Sequence, residues 1–135
     1  MTGPDDEARA ILSTARTIAV VGLSNKPDRP SFEVAAYLQA AGYRIIPVNP
    51  MIDEALGERA YARLRDIPER VDVVQIFRRP EDVPAVVDEA IEIGAGAVWM
   101  QPGAEHEGAA EKARRAGLRA VVGACMMVTH RRLLG

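Results

Sequence analysis

The stretch VVGLSNKPDRPSF at positions 20–32 gathers groups that could hold an anion. An apolar run stops at Gly22. Ser24, Lys26, Arg29, Pro30 and Ser31 follow, and a helical pattern then begins. A strand–glycine–loop–helix unit lets backbone approach a ligand closely and points the free N–H groups of a helix start at it. Taken singly, Lys26 is an ordinary solvated loop charge. Taken with Arg29 and the helix start, it suits an anion, phosphate above all. The glycine triplet of dinucleotide-binding loops is incomplete, because Ser24 stands at its middle position.

Other apolar runs also end in residues that could meet a ligand. The second ends at Asn49 and Pro50. NAD sites usually place Asp or Glu there to grip the ribose diol, so Asn49 argues against a standard NAD site. A ligand carrying an extra ribose phosphate avoids a carboxylate at that point, and both NADP and coenzyme A meet that condition. The third run ends at Phe77 and Arg78, an aromatic face and a guanidinium able to stack on a base or pair with phosphate. Alone, Phe77 reads as core, and Arg78 reads equally well as a solvated loop charge. The fourth ends at Met100 and Gln101, where Gln101 could bond a ligand amide or satisfy loop backbone. Trp99 reads as packing. Cys125 follows the fifth run as a buried inert thiol or, at a strand end, a redox group.

Catalytic constellations are missing. His106 and His130 sit on predicted helical segments without metal-ligand spacing and read as structural. There is no G-x-S-x-G elbow and no Walker A pattern.

The elements that must position these residues are legible. Runs at 17–23, 43–48, 71–77, 95–100 and 119–123 are rich in Val and Ile without clean alternation, as in strands buried on both faces of a parallel sheet. Helical spacing fills the gaps at 5–16, 31–41, 80–93 and 105–116. Ser31 is the expected N-cap of the second helix, and Gly42, Gly94 and Gly117 close three of them. Residues 53–68 are the least regular, with one short helix or turn expected around 61–64. Alternating strands and helices imply a doubly wound α/β fold. In such sheets ligands bind at the carboxyl ends of the strands. The five ends above should therefore meet in one crevice.

Composition narrows the classes. The 135 residues suit one domain, 48% apolar and 27% charged, with formal charge −2. That balance gives no general pull toward nucleic acid or anionic membrane. One cysteine excludes an internal disulfide and suits a reducing cytoplasm. The first residues, MTGPDDEARAILSTAR, read as neither a signal nor a transit peptide, and no apolar run has the ~20 residues of a membrane span.

With the strand ends assembled, the chain resembles the small stand-alone CoA-binding proteins. These are Rossmann-like domains related to the CoA-binding domain of the succinyl-CoA synthetase alpha subunit. The resemblance is carried by IAVVGLSNKPDRPSFEVAAYL, GYRIIPVNP, VDVVQIFRRPEDVPAVVDEAI, AVWMQPG and CMMVTHRRL. It implies that Gly22, Ser24, Lys26, Arg29, Pro30 and Ser31 form the phosphate loop, with Asn49 and Pro50 beside the nucleotide. Phe77, Arg78 and Val83 would lie over the adenosine part, and Met100, Gln101 and Cys125 toward the pantetheine arm. The chain departs from the pattern at Ala104–Glu105 and Gly123–Ala124. Nothing supplies the phosphorylated histidine of the synthetase, so ligase activity is not implied. The expectation is a single cytoplasmic Rossmann-like domain over 1–135, with five parallel strands in the order 3-2-1-4-5 and helices on both faces. It would bind coenzyme A or an acyl-CoA without catalysis, and no protein partner is specified. The alternatives are an NADP-linked oxidoreductase and a redox protein forming a mixed disulfide between Cys125 and CoA.

Overall fold

The computed structural model describes residues 3–135. The chain begins with α1 (Pro4–Thr14), β1 (Thr17–Val21), α2 (Pro30–Ala40) and β2 (Arg44–Val48). A hairpin of β3 (Glu54–Ala55) and β4 (Glu58–Arg59), then a 3-10 turn at Leu64–Asp66, lead to β5 (Val73–Ile76). A 3-10 turn at Pro80–Asp82 opens α3 (Val83–Glu92). After it come β6 (Ala97–Met100), α4 (Glu107–Arg115), β7 (Arg119–Val122) and α5 (Met126–Leu133).

Five of these strands form one parallel sheet in the order β2-β1-β5-β6-β7. Successive strand residues point to opposite faces, so each strand feeds two cores. Ala19, Val21, Val74, Ile76, Val98 and Met100 meet α3 and α4 on one face. Ile18, Val20, Val73, Ala97 and Trp99 meet α1, α2 and α5 on the other. This two-sided burial is why the runs showed no alternation. Each fully buried Val, Leu or Ile contributes roughly 1.5–3 kcal/mol over its exposed state. Gly42, Gly94 and Gly117 end their helices at positive φ, as expected.

The doubly wound Rossmann-like fold is present, with helices on both faces, but different segments fill its places. The run at 71–77 was expected outside β2. Instead β5 lies between β1 and β6. Its four residues are all buried, and it pairs with β1 on one side and β6 on the other. The place outside β2 goes to Tyr61, which makes a single parallel bridge to Val48. Tyr61 N–H donates to the Pro47 carbonyl at 3.0 Å, and Asn49 N–H donates to the Tyr61 carbonyl at 2.9 Å. With Tyr61 as a vestigial third strand the 3-2-1-4-5 pattern holds, and β7 adds a sixth place.

Other boundaries shift for local reasons. The second helix starts at Pro30 with Arg29 as its cap, because proline is favoured at the first helical position. Ser31 therefore sits inside the first turn rather than capping it. The 80–93 pattern divides into the turn at Pro80–Asp82 and α3. Residues 53–68 hold the hairpin as well as the turn at Leu64–Asp66. Among the described residues no helix is long and apolar enough to cross a membrane.

Candidate functional site

Three strand ends converge at Gly22. Its N–H donates to the Val48 carbonyl at 2.9 Å, while Phe77 N–H donates to the Val21 carbonyl at 2.9 Å. Gly22 has φ +90°, and a Cβ placed there would lie 2.3 Å from the Phe77 carbonyl oxygen. No side chain fits that gap. Glycine is needed here because the β5 backbone passes so close, a reason the sequence alone did not reveal.

The loop after Gly22 is stiffened from within. Ser24 N–H donates to Ser31 Oγ at 3.0 Å, and Lys26 N–H donates to Ser24 Oγ at 3.1 Å. These bonds fold the loop over the start of α2. Pro30 brings no N–H, and the Ser31 N–H finds no acceptor among the described residues. The positive end of the helix dipole is therefore open to the cleft. Lys26 and Arg29 stand beside it, exposed and without a carboxylate partner among the described residues.

A cleft of about 610 Å³ runs between this loop and the ends of β2 and β5. One wall is polar and cationic: Ser24, Lys26, Arg29 and Ser31. The apolar part of the lining is Met51, Ile52 and Phe77. Met51 is 85% exposed, the most exposed large apolar side chain among the described residues. Asn49 lies at the cleft floor with its amide already engaged. Its Nδ2 donates to the Leu23 carbonyl at 3.0 Å, and its Oδ1 accepts from Met51 N–H at 2.9 Å. Asn49 thus ties β2 to the end of β1 and orients Met51. A second cleft of about 530 Å³ lies across Phe77, lined by Arg78, Arg79, Pro80, Asp82, Pro102 and Gly103 among others. Arg79 is paired with Asp82 at 3.1 Å and Glu81 at 3.9 Å. Arg78 has no such partner among the described residues.

The structure therefore brings together Gly22, Ser24, Lys26, Arg29, Pro30, Ser31, Asn49 and Phe77, with Arg78 across the divide. Pro50 is exposed on the adjoining turn. Val83 and Met100 are fully buried in the core of the α3–α4 face and offer no surface. Gln101 is buried too. Its Oε1 accepts from Met126 N–H at 2.8 Å and from Gln75 Nε2 at 3.1 Å, which leaves the buried Gln75 Oε1 unpartnered. Gln101 is the hinge pin between β6 and α5. Cys125 is half-buried as the residue capping α5, outside both clefts. Trp99 packs as expected, and its Nε1 donates to the Ala124 carbonyl at 2.8 Å.

Asn25, Met51 and Ile52 line the first cleft and were missed. The available signal was two apolar residues directly after NP in an otherwise polar loop. The histidines are structural. His106 caps α4 by accepting from Ala109 N–H at 3.0 Å, and His130 Nδ1 lies 2.9 Å from the Tyr37 hydroxyl. No group of acids, histidines or cysteine able to hold a metal occurs among the described residues.

Residues 16–131 match the family model described as a CoA binding domain. The chain is 44% identical over 124 residues to the uncharacterized protein YneT of Bacillus subtilis, covering 92% of each. A solved structure of a hypothetical protein from Pyrococcus horikoshii OT3 is 41% identical. It has a TM-score of 0.93 over 100% of this chain and 94% of that one. The ADP-forming acetate–CoA ligase II of Archaeoglobus fulgidus is 35% identical over 96 residues, a match spanning 69% of this chain but 14% of the ligase.

Proposed function

We propose, for a chain that belongs to the CoA binding domain family, that the crevice binds coenzyme A or an acyl-CoA non-covalently. The observation that carries this reading is the pairing of two unlike linings in one cleft. Lys26, Arg29 and the open start of α2 line the same cleft as Met51, Ile52 and Phe77. A nucleotide with several phosphates and an aromatic base has the same two-sided character. Phosphate oxygens would take the Ser31 N–H and the two cations, while the base would lie on the apolar wall. Asn49, with no carboxylate at the β2 end, suits a phosphorylated ribose. The arm carrying the thiol would run along the carboxyl edge toward β6 and β7, past Phe77 and Arg78. Nothing in this reading asks a residue to do covalent chemistry.

Charge-assisted hydrogen bonds to phosphate contribute about 1.5–3 kcal/mol each when well placed. Calorimetric titration with CoA should therefore show the double variant Lys26→Ala, Arg29→Ala weakened by about tenfold or more. Unchanged affinity would remove this loop from the site. Native mass spectrometry of the purified protein checks the ligand class. A co-purified mass of CoA or an acyl-CoA is expected. NADPH binding tighter than CoA would overturn the reading.

A further inference from the structure

The unpaired cations of the carboxyl edge, Lys26, Arg29 and Arg78, stand at the β1 and β5 ends, where Asp28 is the one unpaired acid of the loop between Gly22 and α2. At the β6 and β7 ends stands Glu105. Its Oε1 accepts from Gly103 N–H at 2.9 Å, and Gly103 lines the second cleft. Its Oε2 lies 3.2 Å from the point where a Cβ on Gly123 would sit. The carboxylate thus bridges the loops that follow β6 and β7, resting on bare backbone two residues before Cys125. No cation pairs with Glu105 among the described residues. Glu105 stands just beyond the lining of the second cleft, where Arg79 is balanced by Asp82 and Glu81 and Arg78 has no carboxylate partner among the described residues.

We infer that Glu105 is a specificity-determining residue: it admits free CoA and neutral acyl groups and disfavours acyl groups ending in a carboxylate. The inference rests on the CoA reading above. A ligand anchored by its phosphates at Lys26 and Arg29 directs its other end toward the β6–β7 loops. A terminal carboxylate would arrive there beside Glu105. Like charges brought together at a protein–water boundary disfavour binding by about three- to tenfold. The penalty shrinks as salt rises, because this end of the crevice is open to solvent.

Butyryl-CoA and succinyl-CoA test this directly, since their acyl chains have equal length and differ in the terminal charge. Calorimetry on the full chain should show butyryl-CoA bound about three- to tenfold tighter, by a ratio that falls with ionic strength. Glu105→Gln keeps an oxygen for Gly103 N–H and should bring the ratio near one while leaving CoA affinity unchanged. If CoA binds but the wild type makes no distinction, or the ratio survives in Glu105→Gln, the inference fails and the CoA site stands. Tighter binding of succinyl-CoA would assign the terminus to Arg78 instead and also overturn it. No binding of CoA at all would overturn the underlying reading.

Discussion

The two edges of the sheet use their polar groups in opposite ways. At the amino edge, the charges around β1, β2 and β5 close on one another, while Arg16 and Arg119 make no ion pair among the described residues. Asp72 Oδ2 accepts from Arg16 and Thr17 N–H at 2.9 and 3.0 Å, and its Oδ1 meets Arg70 at 3.4 Å. Burial works against the Asp72 carboxylate, but these donors outweigh it and hold the group below the usual carboxylate range. Arg44 forks onto Glu69 at 2.7 and 2.8 Å, and the fork holds Glu69 below that range too. The cavity at this end is about 170 Å³, against about 610 Å³ at the opposite end. At the carboxyl edge, Lys26, Arg29 and Arg78 have no carboxylate partners among the described residues, and the start of α2 is open. One edge fastens β1 to β5, and the other leaves its donors free. A parallel sheet aligns every strand end of one kind, so a single edge can be given to binding and the other to stability.

The largest effect should come where the two roles coincide. Gly22→Ala forces a Cβ into the Phe77 carbonyl at a left-handed φ. It should cost roughly 3 kcal/mol, read as a shifted urea midpoint, and should also disorder the cleft. Normal stability with lost CoA binding would instead assign Gly22 to the ligand alone. Next is Asp72→Ala at the amino edge. It strands two backbone donors and should cost about 1–3 kcal/mol while leaving CoA affinity untouched; a parallel loss of affinity would break the division between the edges. The effect has a pH signature. A carboxyl depressed by folding contributes stability that is fully present above its unfolded value, about 3.9, and is lost as pH falls through the lower folded value. The advantage of wild type over Asp72→Asn should therefore persist at neutral pH and shrink below about pH 4. Denaturation midpoints measured across that range check the sign.

The sequence was most legible where burial is two-sided and least where geometry is set by a neighbour. All five strands of the main sheet and the helices between them follow from apolar runs and helical spacing. Which run fills which place in the order did not, because periodicity reports a strand's faces and not its neighbours. The β3–β4 hairpin was hidden by Leu56. Leu56 and Gly57 both have positive φ, a turn that usually announces itself as Asn-Gly. Leu56 is held there by Gln39 Nε2, which donates to its carbonyl at 3.0 Å, and by apolar packing. Most of the loop after Gly22 was readable because it is contiguous. Met51 and Ile52 were not, since only the Asn49 turn brings them against it. Val83 and Met100 show the converse: residues at strand or helix ends that face the core and not the crevice.

The smallest effect on folding should come from the substitutions with the largest effect on binding. Lys26 and Arg29 are exposed and make no ion pair among the described residues, so the fold gains nothing measurable from their charges. Lys26→Ala, Arg29→Ala should therefore leave the urea midpoint within about 0.5 kcal/mol of wild type. Arg44→Ala at the amino edge, although equally a surface change, should cost up to about 1 kcal/mol because it breaks a two-pronged bond to Glu69. The free cations also repel each other and the positive end of α2. Their removal is thus expected to stabilise the unliganded protein slightly at low salt, a gain that should vanish as ionic strength rises. A clear loss of stability in the double variant would mean that these side chains hold the loop together. The carboxyl edge would then be structural in the same sense as the amino edge.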